Sequence, residues 1–368
     1  MIRLALLIIC PILFSRVIAQ IDQSAKHQFD SLFKTHFEKG FNGNVFYAKR
    51  GNIMYSGNFG LTKYVDGIPL NDSTLFELGS NAKQFTALAI MQLIEKDSIA
   101  LSSDIQTLLI DFPYPGITIE HLLQHQSGLP DYMKLFKNRK VWDRKKIADN
   151  NDVYRILKER KPELLFQPGS KFTYSNTGYL ILCMIIEKVS GLTFDAYLHQ
   201  FVFGPSEMKR SAVIRRRYQP VVLPNNTEGY QKILGKYRIR NTISRFSCAY
   251  LDGVQGDGSI STTILDMKSW IDALQNNVLI SEKSKELMFT PDSVSLGYGF
   301  GFFIGTDGIW KDIIYHGGNW AGYYTWMYYE RETEDFVVIL CNNAYNKTPD
   351  IFIAMREAIL KAQETDLE

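Results

Sequence analysis

The sequence predicts an α+β fold: an antiparallel sheet flanked by terminal helices, with a helical lobe inserted into it. Three observations carry this reading. Helical periodicity opens and closes the chain, at residues 22–38 and 349–361; short runs rich in aromatic and β-branched residues lie beside each of those helices, at 44–56 and 298–341; and the long middle, from 76 to about 250, reads as helix and loop. Pairing the N-terminal hairpin with the C-terminal strands makes one sheet and leaves the middle as an insertion. The chain then divides into a sheet lobe, residues 20–75 plus 255–368, and a helical lobe, residues 76–254. A cleft between them is where a site is expected.

Residues 1–19 stand apart from this fold. Arg3 precedes an apolar run from Leu4 to Phe14, and Val17-Ile18-Ala19 before Gln20 has the small-residue ending of a secretory signal peptide cleaved after Ala19. The run is short for a bilayer crossing, so no stable membrane span is expected and the protein is expected to be secreted or periplasmic. Next, Ala25, Phe29, Leu32, Phe33 and Phe37 recur at helical spacing until Gly40. Asn44 to Ala48 and Ile53 to Ser56 flank Arg50-Gly51-Asn52 as a hairpin. From Ala82 to Ile94 apolar residues fall on every face, which predicts a helix buried at the centre. Further helices are expected at Ile117 to His125, Thr177 to Val189 and Phe194 to Phe203. Strands are expected at Tyr298 to Ile304, Ile309 to Tyr315, Tyr323 to Tyr329 and Phe336 to Cys341, then a last helix from Pro349 to Lys361.

With 368 residues and 45% hydrophobic content, the chain can bury a large core. Removing residues 1–19 takes Arg3 and Arg16 and no acid from the 41 basic residues, leaving 39 against 39 acidic ones. A neutral chain offers no electrostatic footprint for nucleic acid, and Arg144-Lys145-Lys146 and Arg215-Arg216-Arg217 read as solvated faces. Cys183, Cys248 and Cys341 are an odd set, two of them in apolar segments, so free thiols are expected. No cofactor is called for.

The chemistry is expected where the buried helix begins, at Gly79-Ser80-Asn81-Ala82-Lys83. A desolvated ammonium must find partners or give up its proton, so a lysine in the first turn of such a helix asks for a purpose. Ser80, three residues earlier, lies on the same face, where its hydroxyl can reach the amine. That pairs a nucleophile with a base, at a helix start whose backbone N–H groups can stabilise an oxyanion. Ser-x-x-Lys also occurs at Ser31/Lys34 and Ser206/Lys209, but there the lysine is expected in water.

Two later segments add candidates. Tyr174-Ser175-Asn176 precedes a helix; a phenol can move a proton and an amide can hold both a substrate carbonyl and a lysine, although Asn before a helix is ordinarily a cap. In His316-Gly317-Gly318-Asn319 a strand is expected to end in glycines that admit a substrate backbone, the alternative being a tight turn with an incidental histidine. His121 and His125 have helical spacing but lack the Glu of a zinc hydrolase, and no Gly-x-Ser-x-Gly of an α/β-hydrolase occurs.

Taken in order, Ser80-x-x-Lys83, Tyr174-x-Asn176 and His316-x-Gly318, the chain resembles the serine β-lactamase and penicillin-binding protein superfamily. The nearest branch is similar to the class C group with its D,D-carboxypeptidase, D-aminopeptidase and esterase relatives. The likeness runs from about residue 42 to 342 and takes in His121-Leu122-Leu123-Gln124-His125-Gln126-Ser127-Gly128-Leu129-Pro130, Phe166-Gln167-Pro168-Gly169 and Gly256-Asp257-Gly258-Ser259-Ile260-Ser261. It implies a β-lactamase/transpeptidase-like fold and a serine hydrolase acting through an acyl-enzyme. Ser80 is then the nucleophile, Lys83 with Tyr174 the proton-transfer pair, and Asn176 the group that orients substrate. Ser80 and Asn319 supply oxyanion N–H groups, while His316 and Gly318 line the substrate. Where β-lactamases carry lysine this chain has His316; an imidazole titrating near pH ~6.5 is a poor carboxylate anchor at neutral pH. That favours D-amino-acid peptide or ester substrates, cell-wall peptides among them, over β-lactams; an inert penicillin-binding sensor is the non-catalytic alternative.

Overall fold

The computed structural model describes residues 26–219, 223–243, 245, 247–345 and 347–365; the expected leader, residues 1–19, lies outside them. Strand β11 (Asp335–Cys341) explains the architecture best, because it is buried at every position. Its period of two deals Phe336, Val338 and Leu340 to a large core on one side, and Val337, Ile339 and Cys341 to a smaller core on the other. A strand apolar on both faces must be central and covered twice.

The sheet around it is six-stranded and antiparallel, in the order β2, β1, β11, β10, β9, β8. Strands β1 (Gly43–Lys49) and β2 (Asn52–Phe59) form the hairpin, turned by Arg50 and Gly51, both with positive φ. Through β1 the hairpin pairs with β11, Gly43 opposite Cys341 and Lys49 opposite Asp335. The remaining strands are β8 (Phe303–Ile304), β9 (Ile313–Trp320) and β10 (Tyr323–Glu330). Helix α1 (26–38) and helix α11 (Thr348–Thr365) cover the smaller core, into which they place Phe29, Phe33, Ile351, Phe352, Met355 and Ile359.

On the other face lies α2 (Lys83–Glu95), buried from Lys83 to Leu93. The helices that follow are α3 (Ile105–Leu108), α4 (Ile119–Leu123), α5 (Tyr132–Phe136), α6 (Asn150–Arg160), α7 (Asn176–Ser190) and α8 (Phe194–Leu198). Among them α7 packs directly on α2. Short strands β3 (Phe76–Glu77), β4 (Ala212–Val213) and β7 (Ile260–Thr262) form a small sheet, and β5 (Tyr230–Ile233) and β6 (Lys236–Ile239) a separate hairpin. Helices α9 (Ile264–Gln275) and α10 (Glu282–Met288) return the chain to the large sheet.

Several expectations shift. Only Phe303–Ile304 of the run from Tyr298 is strand, and Gly308–Trp310 is a 3-10 turn, so β9 starts at Ile313 and runs through Gly317 and Gly318 to Trp320. The glycines do not end the strand, because β10 pairs with it along its whole length. Arg216 is not a solvated residue: it reaches Glu77 at 3.3 Å, both side chains being largely buried, and donates to the Thr227 carbonyl. Cys183, Cys248 and Cys341 are free thiols, the first and last buried. No single helix among the described residues is long and apolar enough to cross a membrane.

Candidate active site

Ser80 sits in a 3-10 turn, Gly79–Ala82, that leads into α2. The turn is fastened from two sides. Thr325 on β10 donates to the Leu78 carbonyl at 2.7 Å and accepts from Asn81 Nδ2 at 2.7 Å, while the Leu78 N–H donates to the Ile260 carbonyl. Glycine on both partners lets β9 approach. A Cβ on Gly79, whose φ is +55°, would stand 2.9 Å from the Asn319 amide nitrogen, and one on Gly318 would stand 1.9 Å from the Leu78 oxygen. The expectation that Gly318 admits a substrate backbone is therefore corrected: the space its missing side chain leaves is filled by the nucleophile's own turn. Asn319 presents its backbone to that turn while its side chain is exposed.

Lys83 is completely buried and its Nζ has three partners: Asn176 Oδ1 at 2.8 Å, the Asp257 backbone oxygen at 3.0 Å and Ser80 Oγ at 3.2 Å. Two of these are carbonyl oxygens, which only accept. They fix two N–H directions and aim the third position of the nitrogen at Ser80, the one partner with a proton of its own to give. The other two Ser-x-x-Lys pairs differ as their surroundings predict, since Lys34 and Lys209 are exposed.

Asn176 opens α7 without capping it; the cap residue is Ser175. Its Oδ1 faces Lys83, and its Nδ2 and backbone N–H donate to Asp131 Oδ2 at 2.8 and 3.1 Å. Asp131 thereby sets which end of the amide meets the lysine. The Tyr174 ring lies 4.9 Å from Lys83 Nζ, and its buried hydroxyl has no hydrogen-bond partner. A buried phenol without a partner is available to the next polar group that arrives.

His316 shares the inner face of β9 with Gly318 and Trp320, as the period of two requires, but it is 2% exposed and packed against Tyr298, Phe303 and Tyr174. Nδ1 lies 2.7 Å from the Gly317 carbonyl, so it carries the hydrogen, and Nε2 accepts from the Tyr298 hydroxyl at 3.2 Å. Burial, and after it the Lys83 charge, push its pKa down to about 3. The imidazole is thus neutral throughout ordinary pH, and the expected titration near 6.5 is corrected. Because the folded value lies below the unfolded one, the unfolded chain binds a proton first as pH falls. Stability should drop from about pH 6.5 towards 3 by up to ~1.4 kcal/mol per unit from this group. His316→Gln should flatten that slope in urea unfolding measured at pH 7, 6 and 5; an unchanged slope would put the titration elsewhere.

Sequence reasoning gives no role to Asp131, nor to Asp257, which it takes only as part of the family-like segment around Gly256 and Gly258. The Asp257 carboxylate accepts from the Tyr132 hydroxyl at 3.0 Å, and burial pushes its pKa up to about 6 despite Lys83 nearby. A charged residue set between two glycines was the available signal. Ser80, Asn176, Asp257 and Asn319 line a small cleft beside the turn, whereas Lys83, Tyr174 and His316 lie outside its lining. Met133, Leu251, Val254 and Trp320 give it an apolar side.

The arrangement suits acyl transfer, and comparison with known proteins agrees. The Beta-lactamase family matches residues 29–361. Penicillin-binding protein 4* of Bacillus subtilis (strain 168) is 35% identical over 350 residues, 93% of this chain and 76% of that protein. A D-aminopeptidase of Gluconobacter oxydans (strain 621H) is 25% identical over 83% of this chain and 56% of its own length. In fold, a penicillin-binding protein from Bacillus halodurans superposes with a TM-score of 0.75 at 24% identity, covering 91% of this chain and 98% of that one. The D-amino acid amidase of Ochrobactrum anthropi SV3 does so with 0.74 at 19%, covering 92% and 99%. The chain belongs to the β-lactamase family and is a serine hydrolase of the superfamily that includes the penicillin-binding proteins.

Proposed function

We propose that this protein hydrolyses amide or ester bonds of D-amino-acid peptides and related esters outside the cytoplasm, through an acyl-enzyme on Ser80. The observation that carries the reading is the Lys83 amine held by two carbonyl oxygens with its remaining position on Ser80 Oγ. As Oγ bonds to the acyl carbon, its proton passes by way of Lys83, with Tyr174 completing the path, to the leaving nitrogen or oxygen, and the C–N or C–O bond breaks. Water then adds to the ester, the carboxylic acid leaves and Ser80 regains its proton. The Ser80 and Asn319 N–H groups would face the oxyanion. Export rests on the leader-like residues 1–19.

A fluorophosphonate should add one adduct mass to the protein, on a peptide containing Ser80, and Ser80→Ala should abolish it. Intact mass also reads whether residues 1–19 are gone from protein recovered outside the cytoplasm. Labelling that survives in the alanine variant would end the proposal.

A further inference from the structure

The charges around the cleft are lopsided. Among the described residues that line it, Asp257 is the one acidic side chain, and there is no lysine, arginine or histidine. Lys83 lies just behind, but its three positions are taken by Ser80, Asn176 and the Asp257 carbonyl, so it has no hydrogen to offer a substrate carboxylate. Asp131 stands behind Asn176 and adds a second negative charge. Two carboxylates therefore stand around a cleft whose lining, among the described residues, holds no basic side chain. His316, in the place where a carboxylate-binding cation was sought, is neutral and closed in by Tyr298 and the Gly317 carbonyl.

We propose that Asp257 sets the charge of the acyl donor, so that the site prefers aminoacyl amides, esters and peptides with a free α-ammonium over neutral donors and rejects donors bearing a carboxylate there. The inference rests on the Ser80 acyl-enzyme reading and narrows its substrate class. It places amidase- and aminopeptidase-type donors ahead of carboxypeptidase-type donors and β-lactams. The carboxylate is built to persist although it is buried: the Tyr132 phenol, itself buried, donates to it, and Lys83 is close. Other titratable groups facing it are Asp131, which caps α5, and the Cys183 thiol on α7. The preference should thus appear above about pH 6, where Asp257 ionises, and fade where the substrate amine loses its proton, near pH ~7.7.

The test uses D-alanine p-nitroanilide, its N-acetyl form and its N-succinyl form at pH 7, in the wild type, Asp257→Asn and Tyr132→Phe. The quantity read is the ratio of kcat/KM between donors within each protein, which cancels any general loss of activity. Wild type should favour the free amine over the acetyl donor by roughly tenfold or more and disfavour the succinyl donor. Asp257→Asn, which keeps the backbone carbonyl on Lys83, should bring both ratios close to one. Tyr132→Phe keeps the carboxyl but removes its donor, so the preference should set in at higher pH; this variant carries the test if the asparagine protein does not fold. Equal ratios in wild type and Asp257→Asn, with Ser80 still labelled by a fluorophosphonate, would overturn this inference alone. Absence of labelling in the wild type would overturn it together with the acyl-enzyme reading.

Discussion

In a Lys83→Met variant, kcat/KM for every acyl donor should fall by about 10³- to 10⁴-fold with the fold intact. Methionine retains most of the unbranched stem among the buried neighbours of α2 and removes only the nitrogen. Two carbonyl oxygens, Asn176 Oδ1 and Asp257 O, then lose a donor. Each loss costs roughly 1–3 kcal/mol, but ending the burial of an amine returns part of it. Stability should therefore change little compared with rate. Rapid-quench acylation and a thermal melt on the same sample separate the two. Tyr174→Phe should also lose most of its turnover, and the double variant should be little worse than Lys83→Met, because a broken proton path is not broken further by a second cut. Turnover within tenfold of wild type for Lys83→Met would remove the amine from the mechanism.

The second large effect is expected from one methyl group. Gly318→Ala puts a carbon 1.9 Å from the Leu78 carbonyl and 2.3 Å from Thr325 Oγ1, both parts of the fastening that holds the Ser80 turn. Backbone cannot step aside as a flexible side chain can. The variant should lose about 3 kcal/mol of stability by overpacking. It should also acylate at least ~10²-fold more slowly at temperatures well below its melt, because the turn and the Asn319 amide move apart. Denaturant unfolding and fluorophosphonate labelling rates check both. A variant as stable and as quickly labelled as wild type would show that β9 yields easily and that the close approach is incidental.

What the residues alone made legible follows from how local each signal is. Helix α2 was readable because apolar residues on every face admit one interpretation, and Lys83 because it breaks that pattern. That β1, β10 and β11 share one antiparallel sheet followed from short aromatic and β-branched runs beside helical termini, but their order did not. His316 was not readable in the same way. Its neighbours along the chain are glycine and tyrosine, which leave it looking open; the groups that bury it, Tyr298 and Phe303, arrive from another segment. Arg216 likewise sits in a basic triplet, and only the fold brings Glu77 to it. Asp257 acts through a phenol 125 residues away in sequence, a pairing no spacing rule could supply.

Strand β1 is made early and completed late. Its neighbour on one side, β2, follows within the same hairpin, but on the other side its partner is β11, with Gly43 opposite Cys341. While a ribosome is still adding the intervening residues, the inner edge of that hairpin has unpaired N–H and C=O groups and half of a two-sided core. Such an edge recruits whatever strand is near. Closing a loop of this length is itself slow rather than costly, since the entropy grows only with the logarithm of loop length. The helical middle can gather around α2 first, so the nascent chain carries its nucleophile before it carries β9 and β10, the strands that hold it in place. Acylating power therefore arrives with the last strands, and a chain that ended before β9 would have the Ser80 turn without the strands that brace it.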